Sequence, residues 1–138
     1  MGLDNSIMLK INILNRNIKV PKCFNHEEWY GPGEYEVCYW RKCWGVRDKI
    51  ITEVFKRKRF SDEYRFAIVP DDVIKIIKIL KYYDNKKNWD KDNSTIWWYK
   101  EDKIHKQIRK QIKCLKKLYS FLRKYPKEDI VCYFYDSY

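Results

Sequence analysis

The sequence predicts an α+β fold in which about three helices pack on one mainly antiparallel sheet, within a single domain that spans residues 1–138. Two observations support this prediction. Segments typical of strands stand near both ends of the chain, and segments with strong helical periodicity lie between them. A chain of 138 residues also suits one domain and is long enough to bury a hydrophobic core without covalent cross-links.

The N-terminal segment is predicted to begin the sheet. Residues 6–15 are rich in Ile and alternate weakly, which favours a strand, and residues 16–22 read as a turn followed by a second short extended piece. The Gly-Pro-Gly sequence at 31–33 predicts a loop whose backbone needs unusual angles.

The next segment combines aromatic and cationic side chains. Apolar residues recur at helical spacing over residues 38–57, so the pattern predicts a helix with Trp40 and Trp44 on one face. Arg41 and Lys42 would then lie off that face, where the helix meets solvent. An Arg beside an aromatic ring is held in place for a bidentate contact with a phosphate.

The middle of the chain continues with a strand, a helix and a loop. Residues 63–69 read as a strand, and Pro70 followed by two acids is typical of a helix start. That helix is apolar on most sides, so we expect it to be deeply buried. Residues 84–94 form a polar loop, and residues 95–99 are either a strand or the lead-in to the last helix.

The last helix is the strongest pattern in the chain. Its apolar residues step by three or four and form one stripe: Ile104, Ile108, Ile112, Leu115, Tyr119 and Leu122. Nine cations and no acid occur from Lys103 to Lys124, and at about 100° per residue they fall on one arc of roughly 160° opposite the stripe. Like charges four residues apart repel, so fold stability alone would not favour such a face.

The C-terminal segment, residues 129–138, is predicted to be a final strand. Alternation places Val131, Tyr133 and Tyr135 on one face and Cys132 and Phe134 on the other. Because both faces are then apolar, we expect neither to be exposed.

The charge of the chain favours anionic partners. Thirty Lys and Arg against nineteen Asp and Glu give a formal net charge of +11, which speeds encounter with polyanions. Solubility alone is the competing interpretation. No apolar run approaches the ~20 residues of a membrane span, so no membrane partner is expected.

The sequence predicts no metal and no cofactor. The odd number of cysteines and the absence of a CxxC motif indicate free thiols in a reducing compartment, where they act as small buried hydrophobes. The five are Cys23, Cys38, Cys43, Cys114 and Cys132. Together with His26 they fit no closed zinc motif.

No motif of an enzyme family occurs, so no catalytic residue is predicted. The remaining hypothesis for catalysis is a small metal-dependent nuclease centred on His26, Glu27 and Glu28. Such a nuclease needs several carboxylates that converge, and the spacing does not show them.

Three short signatures carry a resemblance to a known family. The chain has MGLD at 1–4, CYWRK at 38–42 and FYDSY at 134–138. In order and relative position these resemble a widespread family of small, mostly uncharacterised bacteriophage proteins, which begin MGLD, carry YWRK near the first helix and end in an aromatic-Ser-aromatic tail. The family has Asn and His where this chain has Trp44 and Arg47. The resemblance implies a phage or prophage origin and a host bacterial cytoplasm, and it supplies no known activity.

Together these observations predict a small phage-encoded host-interaction or counter-defence protein that binds an anionic target without catalysis. The target would be nucleic acid or a defence ribonucleoprotein such as a CRISPR effector. The predicted anion-binding residues are Tyr39, Arg41, Lys42, Lys106, Arg109, Lys110, Lys113, Lys116 and Lys117.

A nucleotide sponge is the alternative. It would sequester an anionic nucleotide, a cyclic defence signal, in a pocket lined by Tyr39, Trp40, Arg41 and Lys42. Such pockets are often at subunit interfaces, so this hypothesis leaves a homo-oligomer open.

Overall fold

The sheet of the protein has four antiparallel strands in the order β2-β1-β4-β3. The computed structural model describes residues 4–41, 43–60, 62–88 and 101–137, without the side chains of 101 and 102. The strands are β1 (Asp4–Ile11), β2 (Glu34–Arg41), β3 (Arg65–Ala67) and β4 (Ile130–Ser137). The first and last strands of the chain pair along their whole length, from Asp4 opposite Ser137 to Ile11 opposite Ile130.

Three α-helices occur in the described part of the chain, and they cover one face of the sheet. They are α1 (Trp44–Lys49), which continues as a π-helical turn (Ile50–Val54), α2 (Pro70–Tyr83) and α3 (Glu101–Lys124). Alternate strand residues such as Leu9, Trp40 and Phe134 are buried in one core with the apolar sides of the helices. The predicted fold class is therefore confirmed.

The predicted start of the second helix agrees with the structure because its signal is local. α2 begins at Pro70, and the Asp72 carboxylate accepts a hydrogen bond of 3.0 Å from the Val69 N–H. α3 ends at Lys124, the last cation of its basic face. The segment 95–99 lies outside the described residues.

The predicted helix over 38–57 is wrong at its start. Residues 38–41 belong to β2, where Trp40 points into the core and Tyr39 and Arg41 point outwards. Cys38 and Trp40 have the spacing of a strand, while Trp40 and Trp44 have the spacing of a helix. Pairing of β2 with β1 decides between the two periods, with Ser6 opposite Tyr39 and Asn5 opposite Trp40.

The predicted first strand is also too long. β1 ends at Ile11, because a turn forms in which the Asn15 N–H donates to the Asn12 carbonyl oxygen at 3.1 Å. Ile13 and Leu14 are exposed. No strand follows over residues 16–22; the chain runs there as turns and irregular backbone until β2.

Gly33 is the glycine of the predicted loop that needs its conformation. Its φ is +74°, and a Cβ at this position would lie 2.6 Å from the Ile11 carbonyl oxygen. The Ile11 N–H in turn donates to the Gly33 carbonyl oxygen at 2.9 Å, which brings the start of β2 against the end of β1.

One face of β4 is exposed, contrary to prediction. Cys132 and Phe134 lie in the core, but Val131 and Tyr135 are on the face of the sheet that the helices leave open, where Val131 is 55% exposed. Apolar character on both faces therefore did not indicate burial on both faces.

The cysteine prediction is wrong for one pair. Cys23 and Cys114 form a disulfide across 91 residues of sequence. Cys38, Cys43 and Cys132 are free and buried, as predicted. The disulfide ties the segment before β2 to the middle of α3.

The apolar side of α3 is wider than the predicted stripe. Tyr119 and Leu122 are only half-buried, whereas Cys114, Leu118 and Phe121 are buried. The segment around Phe24 causes this shift, since it packs over the helix with the Phe24 ring 5.8 Å from the Phe121 ring, edge to face.

Candidate anion-binding surface

The basic face of α3 is a continuous exposed surface. Its nine cations are all exposed to solvent: Lys103, Lys106, Arg109, Lys110, Lys113, Lys116, Lys117, Arg123 and Lys124. They lie on the side of α3 that is turned away from the core, because Ile108 and Leu115 anchor the other side. Six of the predicted anion-binding residues thus share one surface.

The lysines of this basic face have no acidic partner in the described part of the chain. Arg109, which was also predicted to bind an anion, does have an acidic partner: its Nε lies 3.2 Å from Asp84 Oδ2. The other oxygen of Asp84 lies 2.8 Å from Nδ1 of His105. His105 is half-buried beside this carboxylate, which ties it to the segment that follows α2.

Two depressions lie along the basic face. One, of about 470 Å³, is lined by His105, Lys106, Arg109, Lys110 and Lys113. The other, also of about 470 Å³, lies towards the C-terminal end of α3 and includes Lys116 and Lys117. The cations are therefore presented around concave surfaces, where several of them can contact one anion.

Tyr39 and Arg41 lie on β2, on the open face of the sheet. The Tyr39 hydroxyl donates a hydrogen bond of 2.7 Å to Asp4, and burial together with this carboxylate raises the pKa of Tyr39 to about 12. Tyr39 also lines a cavity of about 520 Å³ between β2 and α3, and Lys110 lines the same cavity. On the α3 side, the Tyr39 carbonyl oxygen accepts a hydrogen bond of 3.2 Å from Gln111, whereas the Tyr39 ring and Arg41 lie on the open face. Lys42 lies outside the described residues.

Trp40 is separated from Tyr39 and Arg41. It is 1% exposed, and its indole N–H donates to Oε1 of the buried Gln111 on α3 at 2.9 Å. Successive residues of a strand point to opposite faces, so the Trp40 side chain lies in the core while those of Tyr39 and Arg41 lie on the outer face. The burial of Trp40 removes one of the four residues proposed to line a nucleotide-sponge pocket, and that hypothesis stays a prediction.

Two cations near the surface were missed by the sequence prediction. Lys22 lines the cavity that holds Tyr39 and Lys110, and Lys19 lines the depression that holds Lys116 and Lys117. Both come from the segment between β1 and β2. In the sequence, two lysines three residues apart in an irregular segment are only a weak indication of an anion-binding site. Their relation to α3 comes from the packing of that segment beside the helix.

Arg47 is a fully buried cation close to the CYWRK signature. It is 1% exposed, and its Nη2 donates to Asp136 Oδ2 at 2.7 Å. Asp48 accepts a further bond at 3.0 Å. Burial lowers the pKa of Arg47, but hydrogen bonds and charge from the two aspartates more than offset it, so the pKa is raised overall.

The residues that the structure describes from the three signatures, 4, 38–41 and 134–137, lie close together in the sheet. Asp4 is opposite Arg41 on one neighbouring strand and opposite Ser137 on the other, so these described residues occupy adjacent positions on three strands. Beneath them, Nδ2 of the buried Asn5 donates to Asp136 at 2.6 Å. These residues therefore share a structural role, which is to join three strands of the sheet.

His26 and Glu27 are engaged in hydrogen bonds with nearby residues. His26 Nδ1 lies 2.9 Å from the Glu34 carbonyl oxygen, and Glu27 accepts a bond from Asn25. Among the residues that the structure describes, no three His, Cys, Asp or Glu side chains come together as metal ligands. The convergence that a metal nuclease needs is thus not found in this part of the chain.

None of the helices in the described ranges combines the length and the hydrophobicity needed to cross a membrane. Comparison with protein-family models, with curated proteins and with solved structures found no match to the chain.

Proposed function

We propose that the protein binds a polyanion without catalysis, through the basic face of α3. The target chemistry is the phosphate backbone of nucleic acid, either bare or exposed on a ribonucleoprotein. The observation that carries this proposal is the set of exposed lysines on α3 that pair with no acid among the described residues.

The spacing of these lysines supports binding over solubility. Lys106 and Lys110, and again Lys113 and Lys117, are four apart, and each such like-charge pair costs a helix about 0.2–0.5 kcal/mol. Interspersed acids would give the same solubility without this repulsion. A bound polyanion removes the repulsion and releases its own counterions, which makes association favourable.

The narrower expectation, a counter-defence role in a bacterial host cytoplasm, is part of the same proposal. It rests on the resemblance to phage proteins, and the disulfide between Cys23 and Cys114 stands against it because disulfides are rare in reducing compartments. A phage-protection assay with the variants below would test this role.

The direct test is nucleic-acid binding by two variants of equal charge. The first replaces Lys106, Lys110, Lys113 and Lys117 with Gln. The control replaces four exposed lysines away from α3 with Gln: Lys58, Lys75, Lys78 and Lys81. Affinity for a labelled duplex and a labelled single strand would be measured by fluorescence anisotropy at several salt concentrations.

We expect the α3 variant to bind weakly and to have a flatter salt dependence. The slope should fall by up to about 0.9 for each duplex phosphate that the variant no longer neutralises, and by about 0.7 for each phosphate of a single strand. The control should bind almost as the wild type does. Equal losses in both variants would show that net charge alone attracts the nucleic acid, and unchanged affinity in the α3 variant would assign the basic face to solubility.

A further inference from the structure

The depression at the C-terminal end of α3 has cations on both of its walls. The helix contributes Lys116, Lys117 and Lys124, and the segment between β1 and β2 contributes Lys19 from the opposite side. No carboxylate is among the residues that line it, in the part of the chain that the structure describes. We call this depression the lysine groove.

The groove also offers an aromatic surface. Tyr125 and Phe121 line it, with their ring centres 4.7 Å apart. The Lys124 ammonium lies 5.4 Å from the centre of the Tyr125 ring, so a cation and an aromatic ring are presented together. The exposed Ser120 hydroxyl adds a hydrogen-bonding group to the same lining.

The two walls are held in place before any ligand arrives. The Lys19 N–H donates to the Tyr125 hydroxyl at 3.1 Å, and that hydroxyl donates to the Asn17 carbonyl oxygen at 3.5 Å. Beyond the groove, the disulfide between Cys23 and Cys114 joins the same segment to α3. Because the backbone of both walls is already fixed, the ordering that binding requires is mainly that of the lysine side chains.

Other cavities near the basic face lack this combination. The cavity that contains Tyr39 also contains Glu36, whose pKa is raised mainly by burial, and a carboxylate there disfavours an anion. The depression around Lys106 has cations, but His105 is the only ring in its described lining, and that ring is occupied with Asp84.

We propose that the lysine groove binds one nucleoside phosphate unit, with the phosphate between Lys19, Lys117 and Lys124 and the base against Tyr125. A groove of about 470 Å³ is within the range that holds a small ligand. If the bound unit is part of a nucleic acid, this proposal rests on the proposed function. The protein should then prefer single strands to duplexes, because the bases of a single strand are free to stack on the ring.

The test uses one variant for each half of the proposed site. Lys19→Gln with Lys124→Gln removes two cations that the preceding test leaves intact, and Tyr125→Leu removes the ring. Lys58→Gln with Lys75→Gln is the charge-matched control. The probes are a single-stranded oligonucleotide that contains 2-aminopurine, the duplex of the same sequence, AMP, and adenosine, which lacks the phosphate. AMP and adenosine would be followed by calorimetry.

We expect the lysine variant to bind the single strand at least about tenfold more weakly, since each charge-assisted hydrogen bond contributes strongly to affinity. The control should lose less than about twofold, because salt screens exposed charges that are remote from the groove. Tyr125→Leu should remove the quenching of 2-aminopurine, and AMP should bind in preference to adenosine. Because Tyr125→Leu also changes the packing on Phe121, its fold would be checked by circular dichroism, and the lysine variant decides the question if that fold is lost.

The two proposals fail separately. Wild-type affinity in the lysine variant, together with weakened binding by the α3 variant, would overturn the groove and leave the proposed function standing. Binding of AMP without binding of either strand would support the groove as a site for free nucleotides and overturn the proposed function. If neither AMP nor the single strand binds, the groove proposal is wrong.

Discussion

Arg47 and the lysines of the basic face are all cations, but their surroundings differ in every respect. Arg47 is 1% exposed and donates to Asp136, to Asp48 and to the Arg59 carbonyl oxygen. The rings of Trp44 and Phe60 have their centres 5.8 and 5.7 Å from its guanidinium. Lys113, by contrast, is exposed and meets no carboxylate among the described residues.

The difference shows which cations are committed to the fold and which are available to a ligand. A buried guanidinium that already fills its hydrogen bonds cannot leave them for a phosphate without exposing a buried carboxylate. An exposed lysine gives up only water and counterions on binding. The side chains carry the same charge in both regions, so accessibility and pairing decide the role of each cation.

The largest expected effect concerns the buried ion pair. Arg47→Met should lower the free energy of unfolding by about 3–5 kcal/mol, because it leaves the Asp136 carboxylate buried without its cation. Urea denaturation would measure the loss. Arg16→Met, at an exposed position between β1 and β2, is the matched control and should cost under about 1 kcal/mol.

A double variant sharpens this result. Adding Asp136→Leu to Arg47→Met should cost less than the sum of the two single changes, since no charge then remains buried and uncompensated. Additive losses would mean that the two side chains act independently, and Arg47 would then not be a counterion of Asp136.

The next effect concerns the disulfide that joins the segment of Lys19 to α3. Replacing Cys23 and Cys114 with Ser should lower the free energy of unfolding by about 2–4 kcal/mol, because the cross-link restricts the unfolded chain across 91 residues. Dithiothreitol should destabilise the wild type by a similar amount and should leave the double variant unchanged. Wild-type stability that does not respond to the reductant would show that the bond is not formed in solution.

The smallest effect has the opposite sign. Replacing Lys106, Lys110, Lys113 and Lys117 with Gln should raise the free energy of unfolding at low salt, by about 0.2–0.5 kcal/mol for each like-charge pair removed. The gain should shrink towards zero near 1 M salt, where the Debye length is about 3 Å. Thermal melts at both salt concentrations would measure it. A clear loss of stability would mean that these lysines contribute to the fold, and the contrast with Arg47 would disappear.

The sequence alone determined the features that depend on neighbours along the chain. The period of α3, its basic face and the start of α2 at Pro70 all follow from contacts three or four residues apart or from local hydrogen bonds. These contacts form in the same way wherever the segment is placed. Most of the candidate surface could therefore be predicted, including Lys106 to Lys117.

Only the tertiary structure decided the features that join distant residues. Trp40 enters the core because β2 pairs with β1, and Arg47 is removed from the surface by Asp136, which lies 89 residues away in sequence. Lys19 reaches α3 because its segment packs over Cys114 and Phe121. Periodicity cannot encode such meetings, because a residue's own neighbours say nothing about which distant segment will cover it. The same cationic side chain can therefore become an internal counterion or an exposed group for an anion to bind, and only its packing decides which.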